Sequence, residues 1–249
     1  MGIKVMRDKI ELTGIVLSSM MVGDYDKRIV ILTKERGKIT AFAKGARRPN
    51  SPLLGISEPF NYGKFVLIEG YDAYRLTGGE VKEYFLELKN DIEGICYATY
   101  FCDILEYLSV EGVGDINVLN LLYLSFKALI KKEISNTLVR RVFEVKVLVY
   151  DGEAMETFAC VKCGSKDAVA FSLRYNGLVC NACKVTDSRQ LMDSTIYTLQ
   201  YIVCTSLDKL FSFQVKKEVQ EELDEVVEAY FSKHVPKKFN SLEILSSLS

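Results

Sequence analysis

Arg28 to Lys44 reads RIVILT, then KERG, then KITAFAK. After Arg28 the next five residues are β-branched or aliphatic, the following four make a short charged turn, and the last seven alternate between two faces. Two strands joined by a tight turn follow from that pattern. On the second strand the alternation sets Ile39, Ala41 and Ala43 on one face and Lys38, Thr40, Phe42 and Lys44 on the other. Upstream, Ile10 to Leu17 is again β-branched and leads through the turn Gly23-Asp24 into Arg28. Downstream come Lys64 to Glu69 (KFVLIE) and Tyr74 to Val81 (YRLTGGEV), where Gly78-Gly79 reads as a bulge. Five short strands between Lys9 and Val81 indicate a small closed or Greek-key barrel. The segment Gly45 to Pro59, with three of the four prolines, reads as a long exposed loop.

Beyond residue 85 the period changes. Asn90 and Glu93 form a capping-box pattern, and Ile92, Ile95, Cys96, Thr99, Cys102, Leu105 and Leu108 then follow helical spacing until Gly112-Val113-Gly114. Ile116 to Lys132 and Leu138 to Tyr150 predict two further apolar helices, with more over Asp193 to Leu207 and Val215 to Lys233. Strands and helices are segregated along the chain, so the expected class is α+β, not α/β. The expected domains are a barrel over 1–82 and a helical domain over 83–249, interrupted by an insert at 158–185.

That insert carries two Cys-x-x-Cys pairs, Cys160 with Cys163 and Cys180 with Cys183. The spacing predicts a four-thiolate site for one structural Zn²⁺, since each knuckle turns both sulfurs toward a single ion. Four filled positions leave none for water, so the site organises structure. Lys166, Phe171, Arg174 and Tyr175 lie between the knuckles, where zinc ribbons sometimes meet nucleic acid; solvation of a small knuckle explains them as well. The remaining cysteines, Cys96, Cys102 and Cys204, read as small buried hydrophobes. An odd total of seven argues against a disulfide framework and for a reducing compartment.

Composition is that of a globular protein, with 49% apolar and 26% charged residues in 249. The start, Met1 to Asp8, has no secretory apolar stretch, and Met6 stands where a myristoylated Gly2 would need Ser or Thr. No apolar run suits a membrane span, so the expectation is a cytoplasmic protein. Formal net charge is −1, but residues 1–80 hold 13 Lys and Arg against 9 Asp and Glu, leaving 19 against 24 elsewhere. Local patches govern nucleic-acid binding better than the total. Phe42 between Lys38 and Lys44 suits a strand face on which bases stack while ammonium groups meet phosphates. Arg47 and Arg48 follow at once, with Asn50 and Ser51 as further donors to phosphate. The same pattern admits Phe42 as a core residue with solvated lysines at its sides, and the residues alone leave both open.

No catalytic constellation stands out. His234, the sole histidine, falls near the end of a charged helix, where a cation complements the dipole. Asp24 and Asp26 have no second acidic cluster nearby in sequence, and phosphate-binding loops are missing. The protein is read as a non-enzyme. Two other classes stay in view, a protein-interaction scaffold and a zinc-dependent hydrolase or deaminase acting on nucleic acid.

The chain resembles the bacterial DNA repair protein RecO family. The resemblance rests on Thr13 to Leu17 followed by Gly23 to Asp26, on Ile29 to Thr33, on Gly37-Lys38, and on Ala43-Lys44-Gly45-Ala46-Arg47-Arg48 with Ser51-Pro52. Tyr230 to Leu248 (YFSKHVPKKFNSLEILSSL) is similar to that family's ending, so the resemblance spans essentially the whole chain. It implies an N-terminal OB-fold, a helical C-terminal domain and a zinc-binding insert. It also implies binding to single- and double-stranded DNA, strand annealing, and work with RecR in loading RecA onto DNA coated by single-strand-binding protein, at the nucleoid. Carried over by position, the DNA role falls on Lys38, Lys44, Arg47 and Arg48, and then on Arg28, Phe42 and Lys64. The acidic remainder of the chain argues against a broad DNA surface across the helices.

Overall fold

β1 (Lys9–Val22), β2 (Asp26–Thr33) and β3 (Gly37–Ala43) form a meander, followed by β4 (Tyr62–Ile68) and β5 (Tyr74–Glu83). They close into a barrel in the order β1-β2-β3-β5-β4, with β3 and β5 parallel and the other pairs antiparallel. This is the five-stranded barrel of an OB-fold. The computed structural model describes residues 8–248, so the readings of Met1 to Arg7 lie outside the described residues.

Alternation builds the barrel interior. Ile29 and Ile31 from β2, Ile39, Ala41 and Ala43 from β3, and Phe65 and Leu67 from β4 are all fully buried in one core. The outward Val30 and Leu32 are also buried, because α2 (Ile92–Leu108) packs over β1 and β2. β2 is therefore apolar on both faces, which explains its unbroken IVIL run.

The segment after β3 is not the exposed loop its composition suggests. Successive turns wind it back over the barrel, and Ala46, Leu53 and Ile56 enter the barrel core. Prolines and glycines supply the turns, while the scattered aliphatic side chains close an end of the barrel that the strands leave open. Gly79 on β5 lies beneath this plug, with φ +155°. The register shift in the β4–β5 pair leaves Thr77 unmatched beside Gly78, so the bulge sits one residue earlier than the glycine pair. Thr77 Oγ1 donates to the Val66 carbonyl at 3.0 Å, holding the bulge in place.

The helical part contains α1 (Leu86–Lys89), α2, α3 (Ile116–Lys131), α4 (Asn136–Tyr150), α5 (Asp193–Cys204), α6 (Lys217–His234) and α7 (Asn240–Leu248). Asp91, not Asn90, occupies the N-cap of α2, and its side chain makes no capping hydrogen bond. Asn90 instead ends the short helix α1, so the capping-box pattern is displaced by a helical turn unseen in the sequence. Helix α2 stops at Leu108, before the expected glycines. Those residues receive the β2–β3 turn, with Gly112 N–H donating to the Arg36 carbonyl at 2.9 Å.

By contacts the chain forms two compact units. One runs to Phe126 and includes the residues from Phe239 onward, and the other is Lys127–Lys238. In the first, α7 packs on α2 through Phe239 against Tyr100 and through a 3.0 Å hydrogen bond from Ser241 Oγ to Asp103 Oδ2. In the second, α4, α5 and α6 pack together, and a three-stranded sheet, β7 (Gly177–Cys180), β6 (Ala168–Ser172) and β8 (Ser188–Gln190), carries the cysteines. Phe171 leaves that sheet toward α6 and meets Tyr230 edge-on at 5.8 Å. It is buried and so unavailable to a nucleic acid. Among the described residues no helix is long and apolar enough to cross a membrane.

Candidate nucleic-acid interface and metal centre

Strand register sets four side chains in a row across the outside of the barrel. Met20 on β1 faces Arg28 on β2, Arg28 faces Phe42 on β3, and Phe42 faces Arg75 on β5. Facing residues on neighbouring strands lie roughly 4.5–5.5 Å apart at Cβ, so Phe42 stands between two arginine positions. Phe42 is 42% exposed; the alternation places it on the surface, not in the core. Arg28 and Arg75 make no ion pair with the described residues. The row occupies the β2–β3 face, flanked by the β1–β2 and β4–β5 loops, which is where OB-folds take oligonucleotides.

Lys44, Arg47 and Arg48 continue the row at the same end of the barrel. Lys44 is exposed and unpaired among the described residues. Arg47 braces the β1–β2 turn: its N–H donates to the Tyr25 carbonyl at 2.9 Å, and Nη1 donates to the Asp24 carbonyl at 3.1 Å. The Arg48 guanidinium lies 5.2 Å from the centre of the Tyr25 ring. Neither contact neutralises an arginine, since a carbonyl and a ring carry no net charge. Asp26 Oδ1 accepts from the Gly45 N–H at 2.7 Å.

Two residues named from the sequence are placed otherwise. Lys38 is the second residue of β3, four residues from Phe42 and so about 13 Å away along the strand. Its Nζ donates to the Glu106 carbonyl in the last turn of α2 at 2.5 Å. It is a cation at a helix C-terminus, satisfying a carbonyl that the helix leaves free. Lys64 on β4 pairs with Glu11 at 2.6 Å, and that carboxylate raises the pKa of the amine. The structure thus gathers Arg28, Phe42, Lys44, Arg47 and Arg48, and sets Lys38 and Lys64 apart. Arg75 and Met20 escaped the sequence reading. Arg75 sits at an outward position of a recognised strand, but the parallel β3–β5 pairing that brings it to Phe42 leaves no trace in the order of residues.

In the second unit the Sγ atoms of Cys160, Cys163, Cys180 and Cys183 all lie within 4.8 Å of one another. Local hydrogen bonds shape the first knuckle, with Gly164 N–H donating to the Cys160 carbonyl at 2.8 Å and Cys160 N–H to the Ser165 carbonyl at 2.7 Å. The second pair closes through a single 3₁₀ turn, Asn181–Cys183. A thiolate bond of about 2.3 Å to a tetrahedral ion puts sulfurs roughly 3.8 Å apart. Cys163 and Cys180 are 3.7 Å apart. Burial alone would raise the Cys160 thiol, but backbone N–H groups of Cys180, Lys162 and Cys163 outweigh it and hold it at about 6. Cys183 is pushed up to about 12 by the sulfurs of Cys180 and Cys163. Four sulfurs this close cannot all ionise unless a cation sits among them, so the donor set fits a thiophilic metal ion. Around it pack Ala170, Val179, Val161 and Tyr175, with Lys162 Nζ 4.6 Å from the Tyr175 ring centre.

The remaining chemistry-bearing residues lie in structural surroundings. His234 ends α6, with Nδ1 3.3 Å from Glu153 Oε2 and its ring 4.5 Å from that of Tyr230. Among the described residues the four cysteines are the single group of Cys, His and acidic side chains close enough to hold a metal ion.

Comparison with known proteins identifies the family. The family model for Recombination protein O N terminal matches residues 6–85, and that for Recombination protein O C terminal matches residues 89–243. A DNA repair protein RecO of Acetivibrio thermocellus is 34% identical over 240 residues, 95% of this chain and 96% of that protein. Its counterpart from Alkaliphilus metalliredigens is 34% identical over 244 residues, 96% and 99% of the two chains. One from Clostridium perfringens strain 13 is 32% identical over 238 residues, 95% and 97%. With matches across both halves and nearly full coverage on each side, this chain belongs to the RecO family of DNA repair proteins.

Proposed function

We propose that the protein acts in recombinational repair by holding DNA without cutting or modifying it. In this reading it binds single- and double-stranded DNA on the barrel, anneals complementary strands, and with RecR helps load RecA onto strands coated by single-strand-binding protein. The observation that carries the DNA-binding part is the Arg28–Phe42–Arg75 row, whose guanidinium groups lack acidic partners among the described residues. Cations that release counterions from phosphates give affinity with little sequence preference, and an aromatic face accepts any base. A protein that acts at any break needs both properties. The four cysteines hold one Zn²⁺ in this reading, and the ion, when bound, supplies cross-links that a small three-stranded sheet cannot get from its own core.

Fluorescence anisotropy with labelled DNA over a range of salt concentrations tests the proposal. Binding that weakens steeply with salt, regardless of sequence, supports it. Salt-insensitive binding, or none, overturns it.

A further inference from the structure

The β1–β2 hairpin ends in an exposed apolar ribbon. Met20 is 61% exposed, Met21 71%, Val22 39% and Tyr25 50%. Register places Met20 opposite Arg28 and Val22 opposite Asp26 on the outer face, and Met21 opposite Lys27 on the other. Large apolar side chains thus cover both faces of the ribbon at its tip. A strand that packs on a core needs one apolar face; a ribbon apolar on both faces is built to stand between two surfaces.

The tip is also held in place. Arg47 donates to the carbonyls of Asp24 and Gly23, and Arg48 lies over Tyr25. Rigidity of this kind lowers the ordering cost of insertion. Around its base stand Arg28, Lys44, Arg47 and Arg48, none neutralised by a described acid. Asp24 and Asp26 also stand in this turn, Asp26 Oδ1 accepting from the Gly45 N–H at 2.7 Å; the four cations outnumber them, and an apolar blade with a net positive surround complements stacked bases flanked by phosphates. An apolar protein groove would have no use for that much unpaired positive charge.

We infer that this hairpin is a wedge for the boundary between single- and double-stranded DNA, an inference that rests on the DNA-binding reading above. Apolar side chains such as methionine insert between base steps and unstack them. The cost of unstacking is least where one neighbour is already unpaired, so a junction is the preferred seat. The Met20 and Met21 thioethers press on the last base pair, where their polarisable sulfurs suit an aromatic face. The unpaired strand then leaves along Arg28, Phe42 and Arg75.

The test uses the full chain and three fluorescein-labelled DNAs: a single strand, a blunt duplex, and a duplex with a single-stranded extension. A parallel set carries 2-aminopurine at the junction. The expected result is tighter binding to the extended duplex than to either other DNA, by about tenfold, the size of one added stacking contact. It comes with brightening of 2-aminopurine as the base unstacks. Met21→Ser, at a position on the face away from the Arg28–Phe42–Arg75 row, loses the preference and the brightening while single-strand affinity stays, and Met21→Leu retains both. Thermal unfolding of each variant verifies the fold. Equal affinity for all three DNAs without brightening overturns the wedge, leaves the DNA-binding reading intact, and points the ribbon toward a protein groove. A serine variant that keeps the brightening also overturns it. Failure to bind any of the three overturns both readings together.

Discussion

Ile56, in the connection between β3 and β4, lies directly over Gly79 of β5: a Cβ on Gly79 would come within 2.3 Å of Ile56 Cδ1 and of the Lys64 carbonyl oxygen. The barrel is closed at this point by a side chain from outside its strands, and the strand beneath yields room by having no side chain of its own.

Gly79→Ala meets both the plug and the backbone of β4, and the carbonyl cannot retreat without breaking the sheet. It is expected to destabilise the barrel more than Ile56→Ala, which removes a plug side chain at a cost of about 2–5 kcal/mol. Urea denaturation of the two variants checks the order. An alanine at 79 as stable as the parent would mean that the plug moves freely.

Cations inside and outside the row should behave differently. Arg28→Ala and Arg48→Ala are expected to weaken binding to all DNA sequences alike and to lower the salt slope by about 0.7 per lost phosphate contact on single strands. Lys38→Met removes the cation from the end of α2 and is expected to lower the melting temperature with little change in DNA affinity. Anisotropy and thermal unfolding on the same samples separate the two effects, and equal losses of DNA affinity from all three variants would contradict the division.

The row itself was half legible. The period-2 pattern of Lys38 to Lys44 leaves Phe42 open between surface and core; the structure turns it outward, with its neighbours Ala41 and Ala43 in the barrel core. The same pattern treats Lys38 and Lys44 as equals, since nothing in seven residues says that a helix seventy positions later will cover one end of the strand. Leu53 and Ile56 were hidden for a related reason. Two aliphatic residues among prolines, serines and glycines have no period, and only the closed barrel makes a place for them. The cysteines were the easiest to read, because ligand spacing is a local requirement that the rest of the chain does not alter.

Removing the metal should loosen a small region. Among the described residues Ala170, Val179, Val161 and a few neighbours pack around the sulfurs, while the rest of the sheet leans on α6 through Phe171 and Tyr230, so the loosening should be confined to the sulfur side. Chelation, or Cys183→Ser, is expected to speed hydrogen exchange over residues 158–190 and to leave DNA affinity unchanged. Loss of DNA binding with the barrel still folded would place part of the interface on the knuckle. Metal analysis of the purified protein is expected to find one zinc per chain.

Acid should act on the second unit through the charges between α4 and α6. Arg141 donates to Glu144, Asp224 and Glu228 at 2.7–2.8 Å, and Glu144 is fully buried. Burial would lower the Arg141 pKa, but these carboxylates outweigh it and raise it, so the guanidinium stays charged at every accessible pH. Burial likewise pushes Glu228 up, and Arg141 with Arg140 more than reverses that, leaving it below its ordinary value. A carboxylate lowered by folding contributes stability above its unfolded pKa of about 4.3 and loses it as the pH falls through the folded one. The midpoint of denaturant unfolding for the second unit is therefore expected to drop on acidification from about pH 5 to pH 3, where protonating Glu228 costs the fold an ionic partner of Arg141. Glu228→Gln should be less stable at neutral pH and flatter across that window, because the group that titrates has gone while its hydrogen-bonding shape remains. An unaltered acid slope in that variant would assign the sensitivity to other carboxylates.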